Sequence, residues 1–308
     1  MKYLRIDKDI LATLTYFNMF DYPLKKREIF SFLCHSDDYT EFDRTLENLV
    51  NDSIVFRIGE FYCLQNNQAI AERRVVGNAK AIQMLTKAEK VAGVISAFPY
   101  VKGVAVSGSL SKYFADENAD IDFFIITTAN RLWICRTLLH LFKKLTFLLK
   151  MQDFFCMNYF IDEAECCIVE KNFYTAMEIV TILPLRGKKI FDDFYQVNNW
   201  TRIFFPNKHP DTFSTKRTGS AWLRLMTEKL FNSRTGCMVD DFLMKLTSKR
   251  WAAKTRKNKR NSKGYLMSMC TDKHFSKPNP DHFQKTLLHK YECSLADIYK
   301  RLERSRSY

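Results

Sequence analysis

Hydrophobic residues recur at helical spacing through the first part of the chain. Positions 9–17, 26–33 and 40–51 each place apolar side chains three or four residues apart, which predicts three short helices. Two short runs rich in β-branched and aromatic residues then flank Gly59 within 54–64, a pattern typical of a β-hairpin. The N-terminal region therefore predicts a unit of three helices followed by a hairpin.

The pattern then changes to one long amphipathic stretch and several short apolar runs. The Ala-, Lys- and Glu-rich stretch 68–98 predicts a single long helix. Apolar runs at 101–106, 123–126 and 153–162 predict strands, and the amphipathic stretch 131–150 predicts a helix before the last strand. This alternation predicts an α+β fold in which helices flank a small mixed sheet.

Further helices and turns are expected after the third strand. Positions 171–180 predict a helix, in which Thr175 and Glu178 have the spacing of a capping box. The aromatic-rich stretch 191–205 is interpreted as core and turn, and 220–246 shows the apolar spacing of additional helices.

These patterns divide the chain into three regions: 1–66, a core at 67–205 with its leading helix, and a helical, basic C-terminal region at 206–308. Three helices and a hairpin in the first region resemble a winged-helix domain. Its third helix carries several acidic residues against a single basic one, Arg44. A helix that reads DNA brings several cations to the phosphates, so we expect packing or protein interaction in this unit rather than DNA binding.

The net charge of +14 is concentrated at the C-terminal end. Residues 245–308 carry 17 basic and 5 acidic residues, and Lys245–Lys263 has nine basic residues and no acid. Such a segment attracts polyanions, and Trp251 within it is suited to stack on a base. We expect RNA or single-stranded DNA as a partner of Lys245–Lys263; the alternative is a solvated helical surface.

Composition also bears on the compartment. The nine cysteines are scattered among apolar neighbours without a Cys-x-x-Cys pair, which favours reduced thiols over disulfides or structural zinc. No apolar stretch is long enough and free enough of charge for a membrane span, and the first residues do not resemble a signal peptide. These features predict a cytoplasmic protein that makes no use of a membrane.

The most specific chemistry lies around two acids, Asp120 and Asp122, which flank Ile121 at the start of a strand. Alternate side chains of a strand share a face, so both carboxylates would point the same way and repel each other. Mg²⁺ is held in proteins by a few carboxylates together with substrate phosphates. The pair therefore predicts a divalent-metal site.

Gly108 and Ser109, which ten intervening residues separate from Asp120, follow a predicted strand. Glycine permits a tight turn close to a ligand, and backbone N–H groups after it can hold phosphate, especially if 110–114 begins a helix. Lys112 would add a positive charge, unless it is a solvated lysine. Arg73 and Arg74, near the start of the long helix, are further candidates to face a phosphate, the alternative being a solvated helix face.

A Gly-Ser turn, a spacer of ten residues and an Asp-x-Asp strand resemble the DNA polymerase β-like nucleotidyltransferase superfamily. The resemblance covers about residues 100–165. It implies an enzyme that uses Mg²⁺, or Mn²⁺, to move a nucleoside monophosphate from an NTP to a hydroxyl of an acceptor. Asp120 and Asp122 would hold the metals, and Gly108 and Ser109 would bind the β- and γ-phosphates.

One feature departs from that superfamily. A third carboxylate is usual on the next strand, where this chain has Asn158, an oxygen donor that cannot act as a base. Three alternatives follow: Asp162 or Glu165 fills the role, two acids suffice, or activity is lost. In the last case the protein would be a nucleotide- or nucleic-acid-binding interaction protein. A transferase that modifies a partner protein is a narrower alternative, disfavoured by the additional terminal regions.

Overall fold

The computed structural model describes residues 5–147, 156–210, 228–229, 231–260, 269–278 and 281–305. The helices in these ranges are α1 (Arg5–Asn18), α2 (Lys26–Ser31), α3 (Tyr39–Asn51), α4 (Gln68–Ser96), α5 (Leu132–Phe147), α6 (Phe173–Val180), α7 (Lys188–Val197), α8 (Arg234–Arg256) and α9 (Asp281–Ser305). The strands are β1 (Leu24–Lys25), β2 (Phe56–Ile58), β3 (Phe61–Cys63), β4 (Val101–Ser107), β5 (Asp122–Thr127), β6 (Cys156–Asp162), β7 (Leu183–Arg186), β8 (Met269–Thr271) and β9 (Phe275–Pro278).

The centre of the molecule is a six-stranded mixed sheet in the order β7-β4-β5-β6-β9-β8. Strands β4 and β5 are antiparallel, whereas β5 and β6 run parallel and are connected through α5. Apolar residues of β4 and β5 pack on both faces of the sheet, since Phe123 belongs to one buried cluster and Phe124 to another. The mixed sheet with flanking helices confirms the predicted α+β class.

The N-terminal helices and hairpin form as predicted, with one additional strand. The short strand β1 joins the hairpin to make a three-stranded antiparallel sheet in the order β1-β3-β2. The apolar core of this unit continues into other parts of the chain, including Phe205 and the α9 residues Leu287 and Tyr291. Residues 5–66 therefore fold against the rest of the molecule and share its core.

The C-terminal region is more integrated than a helical appendage would be. Strands β8 and β9 extend the central sheet from β6, and α9 packs on α1. Part of the predicted helical stretch 220–246 lies outside the described residues, and α8 begins at Arg234. No helix in the described part of the chain is long and apolar enough to cross a membrane.

Helix α8 is fixed to α5 through a buried acid. Asp240 is 1% exposed, and its Oδ1 accepts a hydrogen bond of 2.8 Å from the backbone N–H of Ile134 in the first turn of α5. Burial raises the pKa of Asp240 to about 6, although the hydrogen bonds from the α5 backbone act in the opposite direction. This carboxyl group therefore titrates near pH 6, where the free energy of unfolding is easily measured.

Two local predictions are wrong. The stretch 191–205 belongs to the core as predicted, but it is not mainly a turn: α7 and a 3₁₀ helix at Asn199–Ile203 occupy most of it, because Phe191 and Phe194 lie three residues apart on one buried helix face. The cap of α6 is Asn172, whose side chain accepts the N–H of Thr175, so Thr175 and Glu178 do not form a capping box. Glu178 consequently lies on the body of α6.

Candidate functional site

The Gly108 turn lies directly beside Asp122. Ser107, the last residue of β4, is paired with Asp122, the first residue of β5. Gly108 follows with a φ of +72°, a left-handed conformation that residues with a side chain rarely adopt. A Cβ at this position would lie 3.0 Å from Asp122 Oδ2. The absence of a side chain at Gly108 thus leaves the space next to this carboxylate open.

The segment after the turn is tighter than expected. The helix anticipated at 110–114 is a single 3₁₀ turn, Leu110–Lys112, which ends because Tyr113 adopts a left-handed conformation with a φ of +57°. The hydroxyl of Ser111 and the ammonium of Lys112 donate to the Gly108 carbonyl at 2.9 and 3.2 Å. These side chains, together with backbone hydrogen bonds from Lys112 and Phe114 to the Ser109 carbonyl, hold this turn.

The two acids of the motif differ in position. Strand β5 begins at Asp122, so Asp120 precedes the strand and does not belong to it. The prediction that one strand carries both acids is therefore wrong, although both are partly exposed while Ile121 between them is 1% exposed. Among the described residues no group of three His, Cys, Asp or Glu side chains could hold a metal ion. A metal here would need ligands beyond the protein's carboxylates.

The residues considered for the third carboxylate lie elsewhere. Strand β6 is parallel to β5, with Cys156 opposite Asp122 and Asp162 opposite Thr127. Thr127 is five residues along β5 from Asp122, so at about 3.3 Å per residue Asp162 lies roughly 17 Å along the sheet from Asp122. Asn158 belongs to the near end, at a shift in register between Met157 and Tyr159, and its side chain lies outside the described residues.

Asp162 has a structural role. It is 0% exposed and accepts hydrogen bonds from the backbone N–H groups of Asn130 at 2.9 Å and Ala164 at 3.0 Å. His274, next to β9, contacts the same carboxylate through Nδ1 at 2.9 Å. Glu165 is 66% exposed at its side chain and lies 3.5 Å from His274 Nε2. Neither acid can complete a site at Asp122.

A cavity of about 280 Å³, here called the sheet cavity, opens in front of Asp122. Apolar and aromatic side chains of β5, β6 and α6 form much of its wall. Three carboxylates, Asp122, Glu170 and Glu178, line it together with the ammonium of Lys277, which is paired with Glu170. Burial acts to raise the pKa of Glu170, but the hydrogen bond and charge of Lys277 outweigh it, and the pKa is lowered.

A second cavity of about 440 Å³, here called the aromatic cavity, lies on the other side of the Gly108 turn. It is bounded by the end of α1, the start of α4 and the segment after Gly108. Its aromatic lining comprises Tyr16, Phe17, Phe20, Tyr22, Phe114, Tyr174 and Phe283. Gly108, Tyr174 and Glu178 line both cavities, so the turn marks their boundary.

An ion pair that the sequence did not reveal lies at this boundary. Lys112 Nζ is 2.8 Å from Glu178 Oε1, and the two side chains are 16% and 28% exposed. Beside them, burial and then the negative charges of Glu178 and Asp122 raise the pKa of Tyr174, so its hydroxyl keeps its proton at neutral pH. The sequence predicts a capping role for Glu178, and only the fold brings it to Lys112.

The two arginines of α4 have different surroundings. Arg73 lines the aromatic cavity, where its guanidinium lies 4.6 Å from the centroid of the Phe114 ring. Arg74 is 1% exposed and pairs with Glu28 of α2 at 2.7 Å, so it joins α4 to the N-terminal unit and does not face a ligand. Of the two phosphate-binding candidates, only Arg73 lies at the site.

The chain was also compared with known proteins. No protein-family profile matches it, and neither does any curated protein or any solved structure. The geometry described above must therefore carry the functional interpretation by itself.

Proposed function

We propose that the protein is a metal-dependent nucleotidyltransferase that moves a nucleoside monophosphate from an NTP to a hydroxyl of an acceptor. The observation that carries the proposal is the Gly108 turn closed against Asp122 at the boundary of two cavities. A side chain at Gly108 would fill the space beside the carboxylate. A triphosphate held at the turn would thus place its phosphates next to Asp122.

The reaction exchanges one phosphoanhydride bond for one phosphoester bond. The acceptor oxygen attacks the α-phosphorus, the bond to the β-phosphate breaks, and pyrophosphate leaves with the electron pair. The acceptor's proton passes to a carboxylate that lines the sheet cavity, where Asp122, Glu170 and Glu178 are present. Ser109 and Lys112 hold the phosphates that become pyrophosphate, and Tyr174 can donate its hydroxyl proton in a hydrogen bond.

The donor groups at the turn fit Mg²⁺ or Mn²⁺. Carboxylate oxygens of Asp120 and Asp122 are hard ligands, and a cation bound by two carboxylates can complete its shell with phosphate oxygens and water. When bound, such an ion neutralises charge on the transferring phosphoryl group. Asn158 lies near the same end of the sheet on β6, and its amide oxygen is proposed as a further ligand.

The test combines nucleotide binding with transfer. Asp120→Asn together with Asp122→Asn should weaken binding of Mg-NTP more than about 30-fold, which corresponds to about 2 kcal/mol. The matched control is Glu117→Gln, an exposed acid in the same loop, which should leave binding unchanged. Transfer is then measured with radiolabelled NTPs against RNA, protein and small hydroxyl compounds. Equal Mg-NTP affinity of the double variant and the parent would refute the proposal.

A second candidate is a protein that binds nucleotide without transferring it. The observation in its favour is that Asp162 and Glu165 lie at the far end of β6, and that no cluster of three potential ligand side chains occurs in the described part of the chain. This version predicts Mg-NTP binding that depends on Asp122 but no labelled acceptor in any screen. Labelling of one acceptor class decides for the enzyme.

The N-terminal unit is best interpreted as a winged-helix domain, supported by its element order of α1, β1, α2, α3, β2 and β3. For this unit we favour a role in packing over sequence-specific DNA binding. The acids Asp43 and Glu47 of α3 pair with Lys26 of α2, and the core of the unit is shared with α6 and α9. This surface offers phosphates few cations.

We further propose that α8 and the residues after it bind RNA or single-stranded DNA. Most cations between Lys245 and Arg260 are exposed, while Lys254 lies 4.4 Å from the ring centroid of Trp251 and covers it. Binding should therefore rest on charge and fall steeply as salt rises. Deleting 245–308 is unsuitable as a test because β8, β9 and α9 belong to the fold.

Charge reversal tests the partner without disturbing the sheet. Lys249→Glu with Arg250→Glu should weaken oligo(U) binding at low salt and reduce the slope of log K against log salt by about 1.4. Lys87→Glu with Lys90→Glu makes the same charge change on exposed positions of α4 and serves as the control. Equal losses in both variants, or no binding by the parent, would exclude a specific role for α8.

A further inference from the structure

The two cavities at the Gly108 turn differ in the charges that they present. The cations Lys112 and Arg73 line the aromatic cavity and not the sheet cavity. The sheet cavity has three carboxylates against one cation, Lys277, and each cavity contains one ion pair, Lys277 with Glu170 and Lys112 with Glu178. Acids also line the aromatic cavity, but two of them, Asp21 and Asp116, are exposed to solvent. A polyanion is therefore better accommodated on the aromatic side.

Size and surface favour the same side. A volume of about 440 Å³ lies within the range of small-molecule pockets, whereas about 280 Å³ lies just below it. Two large rings of the aromatic cavity, Phe20 and Phe283, are 41% and 42% exposed. Exposed rings in a concave site provide flat apolar surface on which a planar group can stack. A ligand with a planar ring and a polyanionic tail suits this cavity.

The N-terminal unit is held firmly in place as one wall. The hydroxyl of Tyr22 donates to the backbone carbonyl of Lys112, which joins the segment after α1 to the segment after the Gly108 turn. Arg73 donates to the carbonyls of Phe20 and Asp21, both at 3.2 Å. The segment that carries Phe20 is thus linked by hydrogen bonds to α4 and to the segment after the Gly108 turn.

We infer that the aromatic cavity binds the base and ribose of the NTP, with Phe20 and Phe283 beside the base and Arg73 and Lys112 towards the phosphates. The acceptor hydroxyl then enters through the sheet cavity. This inference rests on the proposed function, and it makes the N-terminal unit part of the nucleotide site. The small volume of the sheet cavity restricts the acceptor to a slender group at the point of reaction.

The experiment compares Mg-ATP with inorganic tripolyphosphate plus Mg²⁺, which has the phosphates but no base. Phe20→Ala and Phe283→Ala should each weaken Mg-ATP binding about tenfold, because stacking on a base contributes about that much, and leave tripolyphosphate binding unchanged. Phe242→Ala, an exposed phenylalanine on α8, is the control. Unchanged tripolyphosphate affinity also shows that the variants are folded.

The outcomes separate the two proposals. If the parent binds Mg-ATP and both phenylalanine variants bind it equally well, the base lies elsewhere and the inference is overturned while the proposed function stands. If both probes lose affinity together in the variants, the rings act on the turn and not on the base, which also overturns it. If the parent binds neither probe, the proposed function fails, and the inference fails with it.

Discussion

Replacing Gly108 by alanine should weaken nucleotide binding much more than it weakens the fold. Gly108 has a φ of +72°, and a left-handed conformation costs a residue with a Cβ about 1–2 kcal/mol. The new Cβ would also lie 3.0 Å from Asp122 Oδ2, closer than ordinary van der Waals contact. The carboxylate must then move by a few tenths of an ångström from the position that faces the turn.

The expected effect on function follows from that displacement. A shifted Asp122 and a methyl group in the phosphate space should together reduce Mg-NTP affinity at least tenfold, which is about 1.4 kcal/mol. Gly59 provides a matched control, because its φ is +60° and a Cβ there meets nothing within 4 Å. Gly59→Ala should thus lower the free energy of unfolding by a similar 1–2 kcal/mol without any change in nucleotide binding.

Two measurements check this: urea unfolding for stability and calorimetric titration with Mg-NTP for binding. The reasoning is refuted if Gly108→Ala binds nucleotide as the parent does. It is refuted equally if Gly59→Ala loses as much affinity, because destabilisation alone would then explain the result.

Three further predictions concern the charged groups. Lys112→Met should weaken Mg-NTP binding, whereas Glu178→Gln should strengthen it, because the Lys112 charge is then no longer paired with a carboxylate. A calorimetric titration in which both variants change the affinity in the same direction would contradict this prediction. Asp162→Asn should lower the free energy of unfolding by about 3 kcal/mol and leave Mg-NTP affinity unchanged, because the buried carboxylate has a structural role. The control Glu165→Gln, at an exposed side chain, should change neither quantity. A loss of transfer in Asp162→Asn without a loss of stability would contradict the structural role. The folded state holds the Asp240 proton more tightly than the unfolded chain does, because the pKa is raised to about 6. Relative to Asp240→Asn, the free energy of unfolding should therefore fall by about 3 kcal/mol as the pH rises from about 4 to above 6. Parallel pH profiles of the two proteins would contradict this prediction.

Local patterns sufficed where one element decides its own structure. The helices of the N-terminal unit, the long helix α4 and the strands β4 and β5 follow from apolar spacing, because each buries one face that its own sequence specifies. The strands β1, β7, β8 and β9 were not predicted. Each is only two to four residues long, too short for a period to show, and exists because a neighbouring strand offers hydrogen bonds.

The candidate site divides in the same way. The sequence alone places Gly108 close along the chain to Asp120 and Asp122, since β4 ends just before Gly108 and β5 begins at Asp122. It could not exclude Asp162 as a third carboxylate, because the direction and register of β6 depend on strand pairing across the sheet. Only the tertiary structure brings Glu178 to Lys112, and only the tertiary structure places Arg73, Phe20 and Phe283 around the same cavity. The physical reason is that these residues come from elements distant in sequence, which pack around a shared core.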